Sequence, residues 1–337
     1  MNLKDFKPKK IIIIDLAFIG DVILATPVTR AVHAKWPDAA ITMLTVPLTA
    51  QVAQMNPYVD KTIVYDKRGR HKGLWGMWQM AGELRKHNYD LAICMNFAVR
   101  GAVVARLAGI PYRLGYDAQH GGLFLTWAMS HIRHGIKHET LNHLEVLEPI
   151  GLSAEDTSLE LEPPMEAVNM MHSRMRQMGI VPGKYYVVCP FGSYERKNMP
   201  LSTAAQLIRE LNSQLPVYLI GGQGEKTGLL GYAKAGKIDE GHVFAGTLNL
   251  QELAVFLSEA AGMVSVDTGP MHMAQAVNCP TVAMFGPTDP KVWGPQNNNS
   301  CYLYTGEPCS PCWGKGECQD NICMKKIKAK DLYERLQ

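Results

Sequence analysis

Ile11-Ile12-Ile13-Ile14-Asp15-Leu16-Ala17-Phe18-Ile19-Gly20-Asp21 decides the fold of the first half of the chain. Four β-branched residues in a row leave no polar face, so residues 11–15 read as a strand buried on both sides, as in a parallel sheet. A glycine-bearing turn and a helix-like segment over 21–36 follow. Strand, turn and helix in that order is the opening of a βαβ unit.

The pattern repeats outward from there. Residues 41–45, 62–65 and 91–95 are further candidate strands, with helical patterns over 74–87 and 99–108. It restarts after residues 159–164, where Glu160-Leu161-Glu162-Pro163-Pro164 cannot continue a helix and reads as an extended linker. Beyond it, strands are expected at 185–189, 217–221, 242–245, 263–266 and 281–285. Helices are expected at 166–179, 202–214, 224–237, 250–261 and 272–277. The expected organisation is therefore two Rossmann-like domains, residues 1–162 and 163–326, facing each other across a cleft. A charged amphipathic helix over 327–337 is expected to pack back at their junction. Ligands of such sheets bind outside the carboxyl ends of the strands, so the loops that follow strands carry the candidate chemistry.

Composition bounds the function. The 337 residues suffice for two cores, and 47% hydrophobic with 19% charged residues is ordinary for a globular protein. A formal net charge of +3 is too small to argue for nucleic acid, which is excluded from the expected partners. No run of about 18 apolar residues is present to span a membrane. The basic start followed by isoleucines resembles a signal peptide, but Asp15 and Asp21 interrupt the apolar stretch and no small-residue cleavage site follows. The expected location is the cytoplasm, with the eight cysteines reduced.

Four loops stand out. In Ile19-Gly20-Asp21-Val22, Asp21 occupies the place of an N-cap; it either caps the helix or offers a carboxylate to a ligand. No Gly-x-Gly-x-x-Gly pattern follows the strand, which argues against a dinucleotide site. Val266-Asp267-Thr268-Gly269-Pro270-Met271-His272 runs from a strand into a helix whose first amides suit a phosphate. Asp267 would repel that phosphate but suits sugar hydroxyls beside it. In Pro190-Phe191-Gly192-Ser193-Tyr194-Glu195-Arg196-Lys197, Gly192 and Ser193 offer amide and hydroxyl donors and Lys197 a point charge for a diphosphate, although in isolation Arg196 and Lys197 read more simply as a solvated loop. Gly221-Gly222-Gln223-Gly224-Glu225 places Glu225 where a ribose diol or a plain helix start would be served.

Two features have less specific readings. Residues 67–87 mix basic side chains with Trp75 and Trp78, which suits an anionic membrane surface or, alternatively, a solvated loop with core tryptophans. Histidines and arginines between His120 and His138 offer either further contacts to a ligand or simply a disordered basic loop. Cys309, Cys312, Cys318 and Cys323 are spaced C-x₂-C-x₅-C-x₄-C, irregular for a zinc ribbon, which suggests a structural zinc or an iron–sulfur cluster, with free thiols or adventitious disulfides as the other reading. Cys94, Cys189, Cys279 and Cys301 read as buried core thiols.

Residues 264–290, VSVDTGPMHMAQAVNCPTVAMFGPTDP, together with residues 19–32, IGDVILATPVTRAV, resemble the signature segments of glycosyltransferase family 9, the ADP-heptose:lipopolysaccharide heptosyltransferases. The similarity in order and spacing extends over nearly the whole chain. It implies a GT-B fold, inversion without a required metal cofactor, and an ADP-sugar donor on the C-terminal domain. The acceptor it implies is a lipopolysaccharide core at the inner face of the cytoplasmic membrane. By position it implies Asp21 as catalytic base and Ser193 and Lys197 as phosphate contacts. Glu225 would hold the ribose, Leu248 would lie against adenine, and Asp267, Thr268, Gly269 and His272 would hold the sugar and diphosphate. The absence of any Asp-x-Asp pattern fits a diphosphate held by side chains and amides. Another GT-B transferase or epimerase, a two-domain sugar-binding protein and an NAD-linked oxidoreductase are the alternative readings.

Overall fold

The computed structural model describes residues 6–95, 97–130, 137–153, 155–318 and 320–337. They form two compact units, Met1–Glu160 and Leu161–Gln337, each built on its own six-stranded parallel sheet.

The first unit contains β1 (Lys10–Ile14), β2 (Ala40–Thr45), β3 (Lys61–Val64), β4 (Leu91–Cys94), β5 (Tyr112–Tyr116) and β6 (Trp127–Met129), in the sheet order β3-β2-β1-β4-β5-β6. Its helices are α1 (Ile19–Leu24), α2 (Thr26–Lys35), α3 (Ala50–Gln54), α4 (Gly73–Arg85), α5 (Arg100–Leu107) and α6 (Glu139–Glu145). The four isoleucines of β1 are all buried and divide by parity. Ile11 and Ile13 pack with Val28 and Val32 of α2, whereas Ile12 and Ile14 pack with Met80 and Leu84 of α4 and Val104 of α5. Alternate residues of a strand point to opposite faces, so a run with no polar alternate demands cover on both. Each such side chain contributes about 1.5–3 kcal/mol by burial.

The single helix expected over 21–36 is two helices. The amide of Pro27, at the start of α2, is missing, and the chain turns at Ala25, whose N–H closes α1 on the carbonyl of Asp21 at 3.0 Å. Four elements of this unit have no counterpart among the sequence-based expectations: β5, β6, α3 and α6. Gly115 within Tyr112–Tyr116, and the brevity of Trp127–Met129, hide the strand pattern.

The second unit repeats the plan with β7 (Tyr186–Cys189), β8 (Val217–Gly221), β9 (Val243–Ala245), β10 (Gly262–Val266), β11 (Thr281–Phe285) and β12 (Ser300–Tyr304), ordered β12-β11-β10-β7-β8-β9. Counted within its own unit, that is the same 3-2-1-4-5-6 order, read from the other edge, as in the first unit. It is the doubly wound order of dinucleotide-binding folds. The helices are α7 (Met165–Gln177), α8 (Leu201–Asn212), α9 (Lys226–Gly236), α10 (Leu250–Ser258), α11 (Gly269–Ala276), α12 (Pro290–Trp293), α13 (Ile322–Lys325) and α14 (Ala329–Leu336). The two Rossmann-like domains of a GT-B fold are thus both present.

The terminal helix α14 lies within the second unit. Ala329 and Leu332 are buried in the same core as Leu207, Ile208 and Leu211 of α8. Leu336 reaches Gly262 so closely that a Cβ there would fall 2.9 Å from its Cδ1. No helix among the described residues is long and apolar enough to cross a membrane.

Candidate functional site

In each unit the strand order reverses beside the first strand, between β1 and β4 and between β7 and β10. Chains leaving those strands diverge to opposite faces, which opens a crevice at their carboxyl ends. In the second unit the loop after β7 ends at Lys197 and the loop after β10 begins at Asp267. Lys197 Nζ lies 2.7 Å from Asp267 Oδ2 and 3.5 Å from the Asp267 carbonyl. Thr288, in the turn after β11, donates its hydroxyl to the same Oδ2 at 2.7 Å. Asp267 is only 5% exposed. Loops after three neighbouring strands therefore converge on one carboxylate. Tyr194 completes the cluster, with Lys197 Nζ 5.2 Å from its ring centroid.

The surrounding loop explains its own residue types. A Cβ at Gly192 would fall 2.5 Å from the Cβ of Lys197, so only glycine lets the lysine fold back over the strand end. The Gly192 amide, expected as a phosphate donor, is instead occupied: it donates to Asn198 Oδ1 at 3.0 Å. Asn198 fixes the loop that way. Ser193 is exposed at its tip.

Thr268 has an extended backbone and precedes α11, with Pro270 in the first turn. The first amides of a helix have no acceptor within it, so those of α11 are directed out of the end of β10. His272 is buried on α11, its ring 6.4 Å from that of Trp293. Glu225 turns back on its own loop and accepts the Gly222 amide at 2.6 Å through Oε2. Gly246, with φ 65°, donates to the Gly221 carbonyl at 2.7 Å and seats the β9 loop, including half-buried Leu248, against the Gln223 backbone. Glu225 and Leu248 are thereby brought to neighbouring strand ends.

In the first unit Asp21 is not the N-cap. Phe18 has the cap's extended backbone, and Asp21 is the third helical residue, accepting the Phe18 amide through Oδ2 at 3.2 Å. Burial raises its pKa, opposed most strongly by His143 of α6, while Glu139 of α6 raises it further. The sequence alone gave no sign of His143 and Glu139, which lie over 100 residues away in a helix with no strong pattern. Beside the same strand ends, Lys67 Nζ donates to the Leu16 carbonyl at 2.8 Å. Its pKa is lowered by burial and then by Arg100 and Arg68, which marks a cluster of like charge.

Trp75 and Trp78 are not core residues: with Leu74 they are 74%, 56% and 74% exposed along α4. His131, Arg133 and His134, between His120 and His138, lie outside the described residues.

The cysteine segment corrects the expectation of zinc. Cys309, Cys312, Cys318 and Cys323 line one cavity of about 220 Å³, but among the described residues no three His, Cys, Asp or Glu side chains are arranged to hold a metal ion. Cys309 and Cys318 stay at the surface. Cys323 is buried, its Sγ 3.7 Å from Asn321 Oδ1 and packed against Gly286. A tetrahedral thiolate site needs all four sulfurs about 2.3 Å from one centre, and these residues do not fit that. What the segment does is brace the loops after β7 and β11. Arg196 donates to the carbonyls of Gly314, Lys315 and Gly316, at 3.4, 3.4 and 2.8 Å, and Trp313 donates to that of Pro287 at 2.7 Å.

The profile of glycosyltransferase family 9 (heptosyltransferase) matches residues 77–322. Lipopolysaccharide heptosyltransferase 3 of Escherichia coli is 25% identical over 305 residues, 87% of this chain and 88% of the relative. A family 9 glycosyl transferase from Veillonella parvula superposes with a TM-score of 0.86 at 23% identity, covering 100% of this chain and 98% of that one. The E. coli ADP-heptose LPS heptosyltransferase II superposes with a TM-score of 0.79 at 18% identity, covering 97% of each chain.

Proposed function

Since the chain belongs to glycosyltransferase family 9, we propose that it transfers a heptosyl group from ADP-heptose to a hydroxyl of a lipopolysaccharide inner core, with inversion and without a metal, Asp21 acting as general base. The observation that carries the reading is the convergence of Lys197 and Thr288 on Asp267, beside the start of α11, at the switch point of the second unit. The names borne by its relatives support heptose as the sugar and lipopolysaccharide as the acceptor.

Lys197 and Asp267 are partners in the free enzyme. A diphosphate entering beside Lys197 brings a stronger, bidentate anion, and the lysine turns to it. Asp267 is then free to accept hydrogen bonds from sugar hydroxyls while Thr288 still holds it. Glu225 takes the ribose diol and Leu248 lies along the adenine. The acceptor hydroxyl attacks the anomeric carbon from the face opposite the diphosphate. The new C–O bond forms as the old one breaks, the pair of electrons leaves on the diphosphate oxygen, and the hydroxyl proton goes to Asp21. Charge gathering on the leaving oxygen is met by Lys197 and the amides at the start of α11, placed before the reaction begins. The ring carbon passes through an oxocarbenium-like state, as in other glycosyl transfers.

The basic cluster of Lys67, Arg68 and Arg100 suits a phosphorylated acceptor, and the exposed Leu74, Trp75 and Trp78 beside it suit the surface of an anionic bilayer in which that acceptor is anchored. A thermal-shift screen of ADP, UDP, GDP and NAD tests the donor class, because a ligand raises the unfolding temperature only by binding the folded state. ADP is expected to stabilise the protein most; preference for UDP or NAD rejects the reading. Product analysis with ADP-heptose then tests the sugar.

A further inference from the structure

Between β9 and α10 the chain runs through Gly246, Thr247, Leu248 and Asn249, and from this loop Leu248 meets the adenine in the proposed donor complex. Both ends of the loop are closed locally. The Gly246 amide donates to the Gly221 carbonyl at 2.7 Å. The Asn249 amide donates to Glu252 Oε2 at 2.8 Å, and Asn249 Oδ1 accepts the Gln251 and Glu252 amides, both at 2.9 Å. The middle is held from elsewhere: Arg174 of α7 donates through Nη1 to the Thr247 carbonyl at 2.8 Å.

Arg174 is itself fixed on two further sides. Its guanidinium carbon lies 5.4 Å from the centroid of the Phe244 ring on β9, within reach of a cation–π contact. Its Nη1 lies 3.9 Å from Glu252 Oε1, on the carboxylate whose other oxygen closes the loop at Asn249. Phe244 is 4% exposed and meets Phe256 edge to face at 5.1 Å, so the surface beneath the guanidinium is rigid. The helix that carries Arg174 is pinned in turn, with His172 Nε2 3.0 Å from Glu259 Oε1 at the end of α10. One planar cation thus meets a ring, a carboxylate and a carbonyl together, which a lysine ammonium cannot match.

The fold has little need of this tether. Thr247 is exposed, where water serves a carbonyl nearly as well. An ion pair whose arginine is 31% exposed contributes little, and fixing so long a side chain costs rotamer entropy. A ligand gains more, because a loop already in its bound conformation need not be ordered on binding.

We propose that Arg174 is a positioning residue for the nucleobase of the donor: by fixing the Thr247 carbonyl it presents Leu248 to the adenine from a preordered loop. This rests on the reading of Leu248 as the adenine contact. β9 is the edge strand, two places from β7 and three from β10. The base and the diphosphate therefore have separate supports, and can be tested apart.

The experiment compares Arg174→Met, Leu248→Ala and their double variant in the full chain. It measures ADP affinity by calorimetry, KM and kcat with ADP-heptose and a deacylated inner-core acceptor, and inhibition by inorganic pyrophosphate, which lacks the base. Arg174→Met should weaken ADP about tenfold, equivalent to about 1.4 kcal/mol. That is the size of ordering one or two side chains. Its KM for the donor should rise alike, with kcat and the pyrophosphate inhibition constant kept. The double variant should bind ADP no more weakly than Leu248→Ala, since the arginine then has nothing left to position. Unchanged ADP affinity in Arg174→Met while Leu248→Ala binds weakly overturns the proposal. So does equal weakening of pyrophosphate, which would mark a support of the whole fold, or a double variant in which the two losses multiply. Unchanged ADP affinity in Leu248→Ala sinks the adenine reading instead, and with it the proposed role. Should Arg174→Met fail to fold, Arg174→Lys carries the same test: its charge stays beside Glu252, and ADP but not pyrophosphate should weaken about threefold. Unchanged ADP affinity there overturns the proposal.

Discussion

Lys197 Nζ stands 2.7 Å from Asp267 Oδ2, joining the ends of β7 and β10 over the point where the second sheet reverses its strand order. Both side chains are largely out of water, at 13% and 7% exposure. A buried pair of this kind contributes little net stability against a well-packed apolar substitute, yet breaking it is costly because one charge is left behind. The pair is thus better explained by what each member does for a ligand than by what they do for the fold.

Lys197→Ala should lower stability by about 3 kcal/mol, the lower end for a broken buried pair because Thr288 still holds Asp267. It should also abolish measurable ADP binding. The double variant Lys197→Ala/Asp267→Asn should recover most of the stability and none of the binding. Calorimetric titration with ADP and thermal unfolding check both; full ADP affinity in Lys197→Ala would remove the lysine from the donor site.

Gly192→Ala places a methyl 2.5 Å from the Lys197 Cβ. Overpacking of this sort typically costs about 1–3 kcal/mol, and here the yielding part is the lysine. ADP affinity should fall while the circular dichroism spectrum is kept.

Thr288→Val keeps the side-chain shape and deletes the hydroxyl that donates to Asp267. A hydrogen bond to a charged group is worth about 1.5–3 kcal/mol, so the unfolding temperature should drop visibly. KM for the donor should rise, since Asp267 loses the partner that holds it once Lys197 turns to the phosphates. A variant indistinguishable from wild type in both measurements would show the contact to be idle.

Asp21→Asn should cut kcat by about 10²–10⁴-fold, the usual reach of a general base, with ADP affinity unchanged. Its stability should move the other way. A carboxyl whose pKa is raised in the folded state binds its proton more tightly there, so stability falls as pH rises from the ordinary value of 3.8 through the folded pKa. Above that range the charged Asp21 is a cost, and Asp21→Asn should unfold at a higher temperature than wild type at pH 7 but at an equal one below pH 3.8. A destabilised variant at pH 7 would contradict the burial argument.

Thiol labelling separates the eight cysteines. Burial pushes the Cys94, Cys189 and Cys279 thiols up to about 12, so they stay protonated and enclosed. Exposed Cys309 and Cys318 should react with a disulfide reagent within minutes, the others on unfolding. Rapid loss of Cys189 would show that the β7 end opens.

Much was legible in the sequence because it is local. Ile11–Ile14 needs cover on both faces whatever surrounds it, and Gly192, Pro270 and the Glu160–Pro164 stretch each dictate a backbone. The order of strands, turns and helices followed, and with it the loops where a ligand belongs. β5, β6 and β12 and the short helices α3, α6, α12 and α13 escaped because their patterns are short or broken by glycine, and their identity as elements comes from the place in the sheet or the helix face they fill.

The sequence by itself determined which residues stand at strand ends, since a five-residue strand and its turn are set by side-chain parity and glycine placement. Only the tertiary structure decided who meets whom there. Lys197, Asp267 and Thr288 are separated by about twenty residues or more, and Asp21 from α6 by over a hundred, and it is the parallel crossovers that lay these segments side by side. Likewise the close spacing of four cysteines suggested a metal centre, but the packing of Cys323 against Gly286 and the outward turn of Cys309 and Cys318 were settled by the core beneath them. Charge and distance, which fix chemistry, are properties of the folded chain.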